Sequence, residues 1–158
     1  MLCGVNPVTG GPGLLPWATG IPGQLRPGVG GRGDFGAPRR NRPHKGADVA
    51  GAVGSNVYNS YTGIVLTVGN DPTGFGNYII VDIGNGYTML YAHLQSGSIA
   101  VQVGEGVYYG QPIGLLGQTG NAAGQPASEA HVHFEVLNNG VPVDPALFLN
   151  TVCPWSKP

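Results

Sequence analysis

Short apolar runs alternate with polar positions through the middle and C-terminal parts of this chain, each closed by glycine, asparagine or proline. The first clear run is Gly63-Ile64-Val65-Leu66-Thr67-Val68. The second, Asn77-Tyr78-Ile79-Ile80-Val81-Asp82-Ile83, ends at Gly84-Asn85-Gly86. Asparagine and glycine accept positive φ, so that tripeptide predicts a hairpin turn. Tyr87-Thr88-Met89-Leu90-Tyr91-Ala92-His93 then runs back as the partner strand. Weaker runs span Ile99 to Val103 and Gln111 to Leu116. A strand from Ala130 to Leu137 turns at Asn138-Asn139-Gly140 into Val141-Pro142-Val143. Asp144 to Leu149 reads as a short closing turn with room for one helical loop. The spacing of turns predicts an all-β domain: antiparallel sheets in a sandwich or partly open barrel, with a narrow cleft, long loops and little helix.

Residues 1–34 lack this alternation. P-V-T-G-G-P-G, G-I-P-G and R-P-G-V-G-G-R-G are turn and extended signals without period. They predict an irregular arm or linker that Leu14, Leu15 and Trp17 pin to the domain. The domain is expected over 35–149, with a tail at 150–158. No repeat of 20 to 50 residues is visible.

Composition agrees with strands. With 29 glycines and 14 prolines in 158 residues, a helical bundle is excluded, because both residues oppose helix interiors. The 41% hydrophobic content and net charge of −1 separate the chain from disordered sequences. Six of the seven basic residues fall between Arg26 and Lys45: Arg26, Arg32, Arg39, Arg40, Arg42 and Lys45. They form either a solvated approach segment or a positive rim that attracts an acidic substrate. The run lacks interleaved aromatics, which argues against nucleic acid. No apolar stretch approaches the ~20 residues of a transmembrane helix, so no membrane insertion is expected. The N-terminus has no basic stretch followed by an apolar one, so no signal peptide is expected. Cys3 and Cys153 are either one disulfide or two free thiols, and neither lies near a histidine.

All four histidines fall in three local patterns: His44 and Asp48 in H-K-G-A-D, His93 in Y-A-H-L, and His131 and His133 in H-V-H. On a strand, residues two apart share a face, so His131 and His133 project together while Val132 and Phe134 project opposite. Two adjacent imidazoles are either a surface pair or a metal site, since burial leaves them needing partners. Gly46 permits a bend that lets His44 and Asp48 converge. Alone, each pattern is equally compatible with a loop or strand-end histidine satisfied by backbone or water. Together, in one domain, they point to a metal, and imidazole nitrogen and carboxylate oxygen are ordinary zinc donors.

The chain resembles the M23 family of zinc peptidases, of the lysostaphin and LytM type. The matching residues run from Gly36-Ala37-Pro38-Arg39 through Arg42 to Ala50, then Gly63-Ile64-Val65 and Gly76-Asn77-Tyr78-Ile79. They continue with Tyr87 to Leu94, Val103 to Val107, Gly110 to Gly114, Gly117-Gln118-Thr119-Gly120 and His131 to Glu135. The resemblance implies His44, Asp48 and His133 as zinc ligands and His93 and His131 as the catalytic pair. Two imidazoles and one carboxylate leave Zn2+ with enough charge to acidify water and polarise a carbonyl. No H-E-x-x-H motif supplies a glutamate base, and histidine, titrating near neutrality, is the natural substitute. Glu135 shares a face with His133 and is either an orienter of an imidazole or a surface carboxylate. One departure stands out: the link from Asn121 to Ala130 is longer than the family's usual one and would edge the cleft.

The resemblance further implies a peptide-bond hydrolase acting on the peptide part of bacterial peptidoglycan, outside the cytoplasmic membrane. The chain is expected to act as a monomer. If it is delivered as an antibacterial toxin, an inhibitory immunity protein is expected as partner. Two other readings are a catalytically silent zinc-stabilised module that binds wall peptides or activates another enzyme, and a broader secreted protease. Tyr58, Tyr61, Tyr78, Tyr87, Tyr91, Tyr108 and Tyr109 lie inside the domain, where a slim peptide groove could use some of them.

Overall fold

The computed structural model describes residues 4–10, 33, 35–38 and 43–145. Among them the strands are β1 (Ala47–Ala50), β2 (Asn56–Tyr58), β3 (Gly63–Asp71), β4 (Gly76–Gly84), β5 (Tyr87–Leu94), β6 (Gly106–Val107), β7 (Pro112–Leu115), β8 (His131–Asn138) and β9 (Val141–Val143). Seven form one antiparallel sheet in the order β1-β8-β5-β4-β3-β6, with β9 beside β8, and β2 and β7 pair separately. The sheets do not close into a barrel. Among the described residues helix is confined to two single turns of 3-10 type, Gly120–Ala122 and Ala127–Glu129.

Alternation decides the faces. Val65, Ile79, Val81, Met89, Tyr91, Val132, Phe134 and Val136 all point inward from the large sheet. Val57, Ile113 and Leu116 from the β2–β7 side close over them. Tyr91 and Phe134 are cross-strand partners with ring centroids 5.3 Å apart, and both are fully buried. Each buried side chain of this size contributes roughly 2–3 kcal/mol relative to exposure. The opposite face of the same sheet carries the polar side chains of β8.

Both expected hairpin turns form. Asn85 and Gly86 have φ of 53° and 82°, and Asn139 and Gly140 have φ of 49° and 80°. Positive φ at both central residues matches the twist of the flanking strands. Alternation does not mark three short strands of two to four residues, β1, β2 and β6, whereas β9, itself only three residues long, is announced by the Asn139-Gly140 turn before it. Conversely, Ile99 to Val103 forms no strand. Its backbone is used in an irregular contact, Ala100 N–H donating to Ile113 O, and the next residue, Gly104, donates N–H to Val65 O. Val101 tucks into the core while Val103 stays 62% exposed. Cys3, Leu14, Leu15, Trp17, the five arginines of the basic run, residues 146–149 and Cys153 lie outside the described residues.

Candidate metal centre

Strand pairing brings the distant motifs together. β1 and β8 are antiparallel neighbours with Asp48 directly opposite His133. Directly opposed residues share a face and hold their Cβ atoms about 5 Å apart. Asp48 Oδ1 lies 2.9 Å from His133 Nδ1. His44 precedes β1 in an extended segment whose backbone is tied to Gly36 and Ala37: His44 N–H donates to Ala37 O and Gly36 N–H donates to His44 O. That anchorage sends His44 Nε2 to 3.1 Å from Asp48 Oδ1 and 3.2 Å from His133 Nδ1.

Gly46 serves this arrangement, and not only as a bend. A Cβ added there would overlap the carbonyl oxygen of Phe134 and lie 2.9 Å from Glu135 Cγ. Only a residue without a side chain lets β1 enter this close to β8.

The donor atoms of His44, Asp48 and His133 thus sit 2.9–3.2 Å from one another. A tetrahedral zinc with bonds of ~2.05 Å spaces its donors about 3.3 Å apart. His44 and Asp48 are buried, and His133 is 12% exposed at its side chain. The other nitrogen of His133, Nε2, is 2.9 Å from Glu135 Oε1, and Glu135 is itself buried. Of the two readings of Glu135, the orienter is therefore the one the geometry realises. Two imidazole nitrogens and a carboxylate oxygen, turned to one point with the far side of His133 already engaged, suit zinc in donor type and spacing.

Electrostatics follow from the crowding. Burial alone would raise the Asp48 carboxyl, but His131, His133 and His44 beside it hold it well below the usual carboxylate value. Burial likewise opposes the His133 imidazolium, yet Asp48 and Glu135 overcome it and push its value up to about 9.

His93 and His131 face the same cluster. Their rings are 5.1 Å apart and edge-on, and His93 lies 6.1 Å from His133. His131 Nδ1 lies 3.0 Å from Glu129 O, and His93 Nδ1 lies 2.8 Å from Thr119 O. A carbonyl oxygen only accepts, so each Nδ1 carries a proton and donates. In both rings Nε2 is then the nitrogen available to the site, and His131 Nε2 comes within 3.7 Å of Asp48 Oδ1. Burial first, and the neighbouring His131 and His133 next, lower His93 to about 4, which keeps it neutral near pH 7.

His93 also departs from alternation. Tyr91 faces the core, so a regular strand would send His93 there as well. Instead β5 carries a bulge: Asn77 pairs with Leu94 and Ile79 with Tyr91, leaving Ala92 and His93 opposite the single residue Tyr78. His93 adopts φ of 65°, left-handed for a non-glycine residue. The extra residue turns its imidazole onto the face of His131 and His133.

Three residues near the site had no assigned role in the sequence reading. Phe75 stacks on His133 with centroids 5.8 Å apart and planes 25° from parallel, and Tyr78 lies 5.7 Å beyond it. Nothing local to Phe75 marks it. Thr119 lies in the T-G turn, whose position in the motif series was its only signal. Glu129 lies near the end of the Asn121–Ala130 link, and its carbonyl oxygen accepts from His131 Nδ1–H, so this link orients His131. Among the tyrosines, Tyr91 is core, Tyr61 and Tyr87 pack against the core, and Tyr78 joins the site's aromatic contacts through Phe75. Of the basic run, Lys45 is described and exposed.

Residues 42–145 match the family model described as Peptidase family M23. The chain is 40% identical over 106 residues to the peptidoglycan DD-endopeptidase ShyA of Vibrio cholerae, a match covering 67% of this chain and 23% of that protein. It is 33% identical over 106 residues to the murein hydrolase activator NlpD of Salmonella dublin, covering 67% of this chain and 26% of that one. Among solved structures, a zinc containing peptidase from Vibrio cholerae superposes with a TM-score of 0.63 at 33% identity, covering 85% of this chain and 39% of that one. The chain thus spans about a quarter of the length of these two curated relatives.

Proposed function

The chain belongs to peptidase family M23, and from that premise we propose that it is a zinc-dependent endopeptidase that hydrolyses peptide bonds in bacterial peptidoglycan stems or cross-bridges. The observation that carries this reading is a complete set of five groups, four on one face of the large sheet and His44 reaching it from the segment before β1. His44 Nε2, Asp48 Oδ1 and His133 Nδ1 share one point, and His93 and His131 present Nε2 beside it. His44, Asp48 and His133 would hold the ion, and residues 35–149 make up the proposed catalytic domain. When bound, zinc supplies a Lewis-acid charge that lowers the pKa of water and polarises the scissile carbonyl.

The remaining chemistry belongs to the side chains. With Nδ1–H fixed on a backbone carbonyl, each catalytic imidazole meets the substrate through Nε2. One of His93 and His131 takes the proton of the attacking water on its bare Nε2, and the other, carrying a second proton as imidazolium, gives Nε2–H to the oxyanion as it forms. Donors aimed where charge develops are worth about 3–4 kcal/mol of barrier. Glu135 fixes the orientation of His133, and Phe75 covers one face of that ring. The site of action is outside the cytoplasmic membrane, where peptidoglycan lies. No helix among the described residues is long and apolar enough to cross a membrane.

The similarity to an activator protein supports a second reading, a catalytically silent zinc-stabilised module that binds wall peptides or activates another enzyme. The two separate in one experiment: turbidity of purified cell walls, with and without a chelator. Clearing that the chelator abolishes, and zinc restores, supports the enzyme. Zinc bound without clearing overturns it in favour of the module. Mass spectrometry of the released muropeptides then names the broken bond.

A further inference from the structure

The β5 bulge between Tyr91 and Leu94 occurs at one of the proposed catalytic residues, His93. A bulge removes ladder hydrogen bonds, and a left-handed non-glycine residue persists only where its surroundings hold it. The groups that hold it come largely from one loop. Thr119 Oγ1 donates to Leu94 O at 2.7 Å and accepts from Asn77 N–H at 3.1 Å. Asn77 and Leu94 are the cross-strand pair just beyond the bulge. The hydroxyl therefore bridges β4 and β5 where a direct N–H to O=C bond would otherwise close the ladder. The carbonyl of the same residue takes His93 Nδ1–H. One residue both props the bulge open and fixes the imidazole it exposes.

The loop is seated by backbone contact. Gly76 and Gly120 have φ of 66° and 68°, and a Cβ on either would overlap the other's backbone. Asn121 N–H donates to Gly74 O at 2.9 Å. His93 N–H donates to Phe75 O at 2.8 Å, and Gly117 N–H donates to His93 O at 3.1 Å. The β3–β4 turn and the loop after β7 thus grip the bulge from both sides.

We propose that Thr119 is a positioning residue: its hydroxyl, inserted between Asn77 and Leu94, maintains the bulge that brings His93 to the site, and its carbonyl selects the His93 tautomer with Nε2 unprotonated. This rests on the endopeptidase reading for its effect on rate, though not for its effect on the ring. Among the described residues the hydrogen bonds of Thr119 run to Asn77, His93 and Leu94, so zinc content is a separate measurement from the one it controls.

The test compares Thr119→Val with Thr119→Ser in the zinc-loaded protein. Valine keeps the shape and removes both hydroxyl bonds; serine keeps them. Misplacement of a reacting group by about 1 Å costs on the order of 100-fold in rate. Thr119→Val should lower kcat by about 10- to 100-fold, leave KM and zinc stoichiometry unchanged, and mix the two neutral His93 tautomers in the nitrogen-15 spectrum of the ring. Thr119→Ser should return kcat and the single Nδ1–H tautomer. If valine does not fold, Thr119→Ala removes the same hydroxyl without steric demand. Full kcat with an unchanged His93 spectrum in the hydroxyl-free variant overturns the proposal, and so does loss of zinc alongside kcat. A wild-type protein that shows the fixed tautomer but no hydrolysis overturns the endopeptidase reading and leaves the role of Thr119 to the spectrum alone.

Discussion

Glu135→Ala sets two opposed effects of one carboxylate on zinc affinity against each other. Glu135 is 4% exposed and accepts from His133 Nε2 at 2.9 Å. A carboxylate on the far nitrogen makes the imidazole a better donor, and losing such a partner typically costs 10- to 100-fold in metal affinity, about 1.4–2.7 kcal/mol. The same carboxylate stabilises the competitor. Burial resists the His133 imidazolium, but Asp48 and Glu135 together push its value up to about 9 in the metal-free protein. At pH 7 zinc must then displace a proton, which weakens apparent affinity by roughly 100-fold for two pK units. Removing Glu135 relieves part of that competition while it weakens the donor. The net loss at pH 7 should therefore be small, under about 10-fold, and should open to the full 10- to 100-fold once the pH exceeds the raised His133 value. Competition against a chromophoric chelator at both pH values measures it, with near-ultraviolet circular dichroism as the check on folding. A variant that binds zinc as tightly as wild type at the higher pH would refute the reasoning, because proton competition no longer hides the donor effect there.

Other substitutions separate the remaining roles. His133→Ala should abolish both zinc binding and wall clearing, whereas His131→Ala should keep zinc and lose about 10²- to 10⁴-fold in rate; atomic absorption and turbidity together check this, and a fully active His131→Ala disproves the catalytic pair. Zinc added to metal-free protein at pH 7 should release about one proton from His133, read by calorimetry in buffers of different ionisation enthalpy. The sign for stability follows from the same raised value: in chelated protein the His133 contribution is fully present below the unfolded value near ~6.5 and is lost as pH rises through about 9, so denaturant midpoints should fall over that window. Gly46→Ala forces a Cβ against Phe134 O and should cost about 1–3 kcal/mol in denaturant titration. A neutral result there would show that β1 and β8 can separate without penalty.

Much of the fold was legible because strands of eight or nine residues carry long β-branched and aromatic runs bounded by turns, as β3, β4, β5 and β8 do, although β5, buried on six consecutive residues, does not declare its faces. The two Asn-Gly turns were legible for a local reason, the positive φ each demands. The misread segment, Ile99 to Val103, shows the limit of the same signal: Val101 is buried by a loop that passes under the sheet, not by a strand within it. β1, β2 and β6 escaped because strands of two to four residues are defined by their partners, and a partner is a tertiary fact.

For the site, H-V-H settled locally that His131 and His133 share a face, since period-two geometry needs nothing but the strand itself. The order of motifs carried the rest of the candidate residues. Local sequence does not determine that Asp48 lies opposite His133, because register is set by the whole sheet. Nor does it determine that Glu135 is buried against His133 or that Phe75 lies over that ring. His93 is the sharpest case. Its own strand assigns it to the core beside Tyr91, and a bulge turns it to the opposite side. That reversal depends on a hydroxyl 26 positions further along the chain, which satisfies the backbone groups the bulge leaves open.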